Sequence, residues 1–218
     1  MRKIPLVNGE IYHIYTKSIA GFKIFRNKSE YERMRKLFSH YRVDKPLLRF
    51  SNFLGIKNKK AFFQKHFSSK KYLVKIVAYC IMPTHIHLIL KQVKKNGISI
   101  FMQNILNSYS RYFNLKNKRK GPLWESRFEN KLIDRDEYLL HLSRYIHLNP
   151  VSKELVDRPE DWKYSSYRQY LGLIDDSRDW VSSFFDYTDM DSCSYREFVE
   201  DNIDYQRSLE KIKNLILE

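Results

Sequence analysis

Two histidines, His85 and His87, lie one residue apart inside the apolar run "PTHIHLIL" at residues 83–90. The run predicts a β-strand, and because side chains alternate between the faces of a strand, both imidazoles project to the same side. Two neutral imidazoles held side by side can give a divalent metal two nitrogen ligands and leave other positions open for substrate oxygens. The alternative is a pair of half-exposed histidines on a sheet surface, and the spacing alone leaves both interpretations open.

A helix is predicted at residues 134–150, "DRDEYLLHLSRYIHLNP", and it carries further candidates. At 100° per residue, Tyr145 and Asn149 lie one turn apart at the edge of the stripe that faces the protein body. An amide oxygen there could hold a metal while the phenol reaches a phosphate bound to that metal. Tyr138 lies on the same stripe and is the rival nucleophile, whereas His147 is predicted to face solvent. The alternative is a packed tyrosine and an asparagine that ends the helix.

Changes of hydrophobic period along the chain predict the elements that position these residues. The predicted strands cover residues 10–19, 72–82, 84–91 and 126–133, and the predicted helices cover residues 29–41, 98–114 and 134–150. The order β-α-β-β-α-β followed by a helix predicts an α+β fold, namely a ferredoxin-like antiparallel sheet with helices on one face.

Sequence signals also predict where these helices begin and end. Ser29 and Glu32 have the spacing of a capping box at the start of the first helix, as Asp134 and Glu137 have at the start of the third. A proline disfavours helical geometry at the residue before it, so the third helix is expected to stop at Pro150.

The chain is predicted to divide at residue 150. Residues 1–150 form the larger domain, which includes a basic insertion, helical in part, at residues 44–71. Residues 151–218 are predicted to be an acidic helical C-terminal extension, with a short helix within 161–172 and one or two helices within 194–218.

The charge of the chain is distributed unevenly. The formal net charge is +15, but residues 1–150 hold 31 Lys and Arg against 9 Asp and Glu, whereas residues 151–218 hold 9 against 16. Such a basic segment indicates contact with a polyanion and favours nucleic acid. The alternative is a generally lysine-rich protein. An anionic membrane surface is disfavoured because the basic residues are spread over strands and loops and do not gather on one amphipathic helix.

Two features favour the cytoplasm. The two cysteines, Cys80 and Cys193, lie far apart and outside any zinc-binding spacing, which suits a reducing compartment. The N-terminal residues lack the apolar core of a signal peptide, and the most apolar window, residues 72–90, is interrupted by lysine, proline and histidine. We therefore expect a cytoplasmic protein without a transmembrane segment.

Several motifs together resemble one family, the single-tyrosine HUH transposases, and most closely its branch of REP-associated tyrosine transposases. The matching segments, in chain order, are "MPTHIHLIL", "YSRYFN", "GPLWESRF", "YLLHLSRYIHLNPV" and "DWKYSSYRQYLG". Their order and approximate spacing follow the pattern of that branch, and the resemblance covers roughly residues 9–172. It implies that residues 1–150 form an HUH catalytic domain.

The resemblance implies site-specific cleavage and rejoining of single-stranded DNA that folds into palindromic hairpins. By position, His85 and His87 would hold a divalent metal, Mg²⁺ or Mn²⁺, and Asn149 would complete the metal site. Tyr145 would be the nucleophile and would form a 5′-phosphotyrosine. Two alternatives stay open at this point: a DNA-hairpin-binding or regulatory protein that no longer cuts, and an RNA-binding module. The active form is expected to be a monomer or a homodimer.

A basic and aromatic region is expected to grip the DNA backbone and stack unpaired bases. The residues expected to contact DNA are Arg111, Lys116, Lys118, Arg119, Lys120, Trp124 and Arg127. The alternative is a solvated helix end and loop, with the aromatic side chains in the core and Arg127 in a structural role within a strand.

Overall fold

The computed structural model describes residues 5–44, 46, 48–57, 71–174 and 180–216. Its centre is a four-stranded sheet made of β1 (Ile11–Lys17), β2 (Val74–Ile81), β3 (His85–Gln92) and β4 (Glu129–Ile133). The strand order is β2-β3-β1-β4, and every neighbouring pair is antiparallel. The predicted α+β fold with an antiparallel sheet is therefore confirmed.

The helices follow the predicted order. They are α1 (Lys28–Tyr41), α2 (Phe50–Leu54), α3 (Gly97–Lys116), α4 (Asp136–Ser152), α5 (Tyr167–Tyr170), α6 (Ser192–Glu200) and α7 (Ile203–Ile216). The one or two helices expected within 194–218 correspond to two, α6 and α7. Of the predicted insertion at 44–71, α2 is the helical part that the structure describes, and residues 58–70 lie outside the described residues.

One face of the sheet packs against α1 and α3. Ile86, Leu88 and Leu90 of β3 are fully buried on this face, as alternation along the strand predicts. Phe38 of α1 and Phe101 of α3 meet in the same cluster. These two helices are the ones that the βαββαβ order places on one face.

The other face packs against α4 and the C-terminal segment. Cys80 and Ile89 of the sheet share a buried cluster with Ile146 of α4 and with Tyr167 and Tyr195 from the C-terminal residues. Almost all of β2 is buried because it is covered on both faces. The helices of the C-terminal residues thus extend the coverage beyond the one predicted face, and the division of the chain at residue 150 stays a prediction.

The start of α1 lies one residue before the predicted start. Its N-cap is Asn27, whose side chain accepts a hydrogen bond from the Glu30 backbone N–H at 3.3 Å. The Glu30 carboxylate in turn accepts from the Arg26 backbone N–H at 2.8 Å. The predicted capping pair of Ser29 and Glu32 was therefore wrong by two positions, because an asparagine caps as well as a serine.

Both ends of α4 differ from the prediction. The helix begins at Asp136, and its N-cap, Arg135, makes no side-chain capping bond, so the predicted pair of Asp134 and Glu137 does not cap it. The helix also continues through Pro150, and the Lys153 backbone N–H bonds to the Asn149 carbonyl at 3.1 Å. The expected stop was wrong because Pro150 and Val151 are buried, and this packing offsets the lost backbone hydrogen bond.

Within the described residues, each helix is too short or too polar to cross a lipid bilayer. The cytoplasmic location stays a prediction.

Candidate active site

The four candidate residues from the two motifs lie together on the α4 side of the sheet. The rings of His85 and His87 lie 5.0 Å apart between centroids and nearly perpendicular to each other. The Tyr145 ring meets the His87 ring edge-on at 5.9 Å, and the Asn149 side chain lies near enough to the His85 ring to influence its pKa. Residues separated by about 60 positions in sequence thus share one site, although their roles stay predictions.

Tyr145 and Asn149 differ in exposure in a way that suits different tasks. Tyr145 is 37% exposed, whereas Asn149 is 6% exposed. A phenol at the surface can meet a large substrate, whereas a buried amide oxygen can hold an ion at a fixed position. The rival tyrosine, Tyr138, has Lys131 over its ring at 4.7 Å and has no described contact with the two histidines.

A third histidine, His13 of β1, lies behind the site and was missed by the sequence analysis. Its Nε2 atom lies 3.0 Å from Nδ1 of His87, within hydrogen-bond distance. Alternation along β1 puts His13, Tyr15 and Lys17 on one face, but only the pairing register shows that this face continues the histidine face of β3. In that register Tyr15 lies opposite His87, and Lys17 lies opposite His85.

The three imidazoles are neutral at pH 7. Burial and, to a smaller extent, the nearby charges of Lys17 and Lys153 lower the pKa of His85 to about 4. Burial, assisted by Lys131, also lowers the pKa of His13 to about 4. For His87, burial followed by the neighbouring His85 and His13 rings holds the pKa well below its ordinary value. A neutral imidazole keeps one nitrogen lone pair, which a metal requires.

The residues present fit a divalent metal. Nδ1 of His85 lies 2.9 Å from Thr84 Oγ1, and Nδ1 of His87 is engaged by His13. Such partners fix the orientation of each ring and leave Nε2 of each for an ion, to which Asn149 can add an amide oxygen. In the described part of the chain, no three His, Cys, Asp or Glu side chains form a ready-made metal cage. The donor set is therefore two imidazoles and an amide.

Five of the residues predicted to contact DNA are exposed. Among them, Lys116 pairs with Glu30, whereas Arg111, Lys118, Lys120 and Arg127 make no ion pair with another described residue. Lys118 has a left-handed backbone with φ of 50° in the loop that follows α3. Arg127 precedes β4, which begins at Glu129, three residues after the predicted start at residue 126.

Three of the predicted DNA contacts already have partners within the protein. Lys116 Nζ lies 3.0 Å from Glu30 Oε1, and the Arg119 guanidinium donates to the Pro122 carbonyl at 2.7 Å. Trp124 is half-buried, and its ring packs against the core next to Tyr109. These three residues therefore have roles within the fold, as the alternative interpretation proposed, and their contacts with DNA stay predictions.

His147 corrects a prediction. It was expected to face solvent, but it is fully buried, and burial lowers its pKa to about 3. Its Nδ1 lies 2.7 Å from the Tyr195 hydroxyl, and its Nε2 lies 2.8 Å from Ser166 Oγ. A helical wheel shows which residues oppose the core stripe, but it cannot show that a distant segment of the chain covers that opposite side.

Comparisons with known proteins agree with this geometry. Residues 56–149 match the family model described as "Transposase IS200 like". A protein of Haemophilus influenzae named as a REP-associated tyrosine transposase is 29% identical over 119 residues, which cover 50% of this chain and 68% of that protein. A solved structure of a REP-associated tyrosine transposase bound to a REP hairpin aligns with a TM-score of 0.54 at 16% identity, over 84% of this chain and 92% of the other. The predicted resemblance is confirmed: residues 56–149 match the model of the IS200-like transposases, and the chain shares the fold of a REP-associated tyrosine transposase.

Proposed function

We propose that this protein is a metal-dependent, site-specific endonuclease and strand transferase for single-stranded DNA. One observation carries the proposal: an exposed tyrosine, Tyr145, lies beside two neutral histidines, His85 and His87, that share a face of the sheet. The family match adds the reaction class, since transposases cut and rejoin DNA.

Hairpin-forming palindromic DNA is the proposed substrate. The solved structure with the same fold is described as bound to a REP hairpin, which supports the same class of ligand here. The exposed cations near the end of α3, Arg111, Lys118 and Lys120, suit the phosphates of such a hairpin.

Tyr145 supplies the nucleophile. Its Oη attacks the phosphorus of the scissile phosphodiester, so that an Oη–P bond forms as the P–O3′ bond breaks. The phenolic proton is released, and the departing 3′-oxygen takes up a proton to become a hydroxyl. The downstream strand stays on Tyr145 as a 5′-phosphotyrosine. Attack by another 3′-hydroxyl on the phosphotyrosine reverses the step and reseals the strand. No ATP is needed, because the Oη–P bond conserves the energy of the broken P–O3′ bond.

His85, His87 and Asn149 would hold the divalent metal. When bound, Mg²⁺ or Mn²⁺ would polarise a non-bridging phosphate oxygen and stabilise the negative charge that builds up during attack. Thr84 and His13 keep the two rings oriented through their Nδ1 atoms. The positive charge of Lys17, which also lowers the pKa of His85, would attract the DNA phosphate to the same place.

End-labelled DNA tests the proposal. A hairpin with a single-stranded flank is labelled at either end, incubated with the protein and Mg²⁺ or Mn²⁺, and separated by denaturing electrophoresis. The 3′-labelled strand should become attached to protein, whereas the 5′-labelled strand should yield a free fragment with a 3′-hydroxyl. Tyr145→Phe should remove the adduct and keep hairpin binding, and Tyr138→Phe is the matched control on the same helix.

Other results would overturn parts of this assignment. An adduct formed by Tyr145→Phe would exclude Tyr145 as the nucleophile, and Tyr15, whose ring centroid lies 6.1 Å from that of His87, would be tested next. Hairpin binding with no adduct under either metal would favour the non-cleaving DNA-binding protein.

A further inference from the structure

A chain of buried hydrogen bonds connects the sheet to α4 on the side away from the candidate site. It begins at β2, where the Tyr79 backbone N–H donates to Ser166 Oγ at 2.9 Å. Ser166 Oγ then lies 2.8 Å from Nε2 of His147, which is closer than its 3.3 Å contact with the Tyr79 carbonyl. The Ser166 hydroxyl therefore donates to His147.

The same chain continues through the C-terminal segment and returns to α4. Nδ1 of His147 lies 2.7 Å from the Tyr195 hydroxyl, which donates to Ser143 Oγ at 2.9 Å. Ser143 Oγ in turn donates to the Leu140 carbonyl at 2.8 Å.

The directions of these bonds are fixed by the two ends. A backbone N–H can only donate, and a backbone carbonyl can only accept. A neutral imidazole between them has one N–H, so His147 accepts at Nε2 and donates from Nδ1 to Tyr195. Every member then has a partner for each hydrogen, which is the condition for a buried polar network to stabilise one arrangement.

Tyr195 is the member that holds the helix. Its single hydroxyl bonds both Ser143 and His147, which lie one turn apart on α4. Ser143 lies two positions before Tyr145, and His147 lies two positions before Asn149. Two positions correspond to about 200° around the helix axis, so each bonded residue lies nearly opposite a candidate site residue. The two bonds of the Tyr195 hydroxyl, called the clamp below, therefore fix the rotation of α4 and with it the direction in which Tyr145 and Asn149 face the histidines.

A small rotation of α4 would have a large effect on the site. A tyrosine oxygen lies roughly 8 Å from the axis of its helix, so a rotation of about 10° moves it by about 1.5 Å. Misplacing a reacting group by about 1 Å can cost on the order of 100-fold in rate. We propose that Tyr195 is a positioning residue that fixes the rotation of α4 and thereby aligns Tyr145 for attack, an inference that rests on the proposed function.

Two matched variants of the full-length protein test the proposal. Tyr195→Phe removes the clamping hydroxyl and keeps the ring. Tyr170→Phe is the control, because the Tyr170 hydroxyl is also buried and donates to the Val77 carbonyl at 2.8 Å, but it has no described bond to α4. Both variants are checked for folding by thermal unfolding before use.

The expected result is a loss of rate without a loss of binding. Tyr195→Phe should lower the single-turnover rate of adduct formation at saturating hairpin about tenfold or more, with the hairpin Kd changed less than twofold. Tyr170→Phe should keep the wild-type rate. Ser143→Ala should reproduce the defect, and combining it with Tyr195→Phe should add little, since both changes remove the same bond. Equal rates for Tyr195→Phe and Tyr170→Phe would overturn the proposal.

A second measurement does not depend on cleavage. With 3-fluorotyrosine at position 145, Tyr195→Phe should shift or broaden the ¹⁹F resonance of that residue, whereas Tyr170→Phe should leave it unchanged. If the wild-type protein forms no adduct, the proposed function fails while this resonance still tests the clamp. An unshifted, sharp signal in Tyr195→Phe would contradict the positioning role.

Discussion

His13 of β1 and His87 of β3 meet ring to ring across the sheet, with Nε2 of the first 3.0 Å from Nδ1 of the second. If His87 gives Nε2 to a metal, its Nδ1 carries the proton and donates to His13. His13→Ala should therefore lower the Mn²⁺ affinity about 10- to 100-fold, because the ring loses its orienting partner. Calorimetric titration with Mn²⁺ measures the change. His141→Ala, which alters an exposed histidine of α4, should bind Mn²⁺ as tightly as the wild type.

Lys118 and Lys120 are expected to contact phosphate, whereas Arg119 between them bonds to the loop itself. Lys118→Ala and Lys120→Ala should each weaken hairpin binding and reduce the slope of log Kd against log salt by about 1. Fluorescence anisotropy over a range of salt concentrations reports both quantities. Lys95→Ala is the control, since Lys95 is exposed near the other end of α3, about 30 Å away. An unchanged slope in both loop variants would remove this loop from the DNA interface.

Glu30 joins α1 to α3 through a carboxylate that is itself buried. Burial alone raises the pKa of Glu30, but the bonds from the Arg26 backbone and from the Lys116 and Arg26 side chains outweigh it, and the net pKa lies below the ordinary value. A lowered pKa in the folded state means that this stabilisation is complete above the unfolded pKa and is lost as the pH falls through the folded one. Glu30→Gln should cost about 2 kcal/mol at pH 7.

Urea unfolding at a series of pH values checks this prediction. The difference between Glu30→Gln and the wild type should shrink as the pH falls below about 4.3, the ordinary range of a glutamate. The control is Glu32→Gln on the same helix, whose partly exposed pair with Arg35 should contribute less than about 1 kcal/mol. A difference between Glu30→Gln and wild type that stays constant from pH 7 to pH 3 would show that the charge of Glu30 does not matter.

Gly97 starts α3 at a point of close backbone contact. A Cβ atom at this position would lie 2.1 Å from the Leu73 carbonyl oxygen, and a backbone atom cannot swing aside as a side chain can. Gly97→Ala should therefore destabilise the fold by on the order of 3 kcal/mol, measured by urea unfolding. Gly55→Ala, where the nearest atom lies at 3.4 Å, should have little effect. Equal stability of the two variants would contradict the close packing at Leu73.

The strands and helices with a clear hydrophobic period were predictable. The face of the sheet on which each side chain of β3 lies was predictable as well. Ile86 and Leu88 are buried on one face, and His85 and His87 lie on the other, because alternation is a local property of a strand. The place of Tyr145 on the side of its helix that faces the sheet was also predictable, because it lies at the edge of the apolar stripe; its role as nucleophile stays a prediction.

Residues whose roles depend on distant segments were not predictable in the same way. His13 became visible only through the register of β1 with β3, which no single strand contains. His147 was misplaced because Tyr195 and Ser166 arrive from the C-terminal segment and cover it. The passage of α4 through Pro150 likewise depends on tertiary packing that offsets a local preference.

The strand β1 lies between β3 and β4, yet it precedes residues 56–149, the segment that matches the family model. A fragment limited to those residues would separate β3 from β4 and leave each with a row of unpaired backbone N–H and C=O groups. Open strand edges of that kind recruit other strands, so such a fragment should aggregate rather than fold. Residues 56–149 are therefore not expected to fold alone, because the strand that joins β3 to β4 comes from the N-terminal residues.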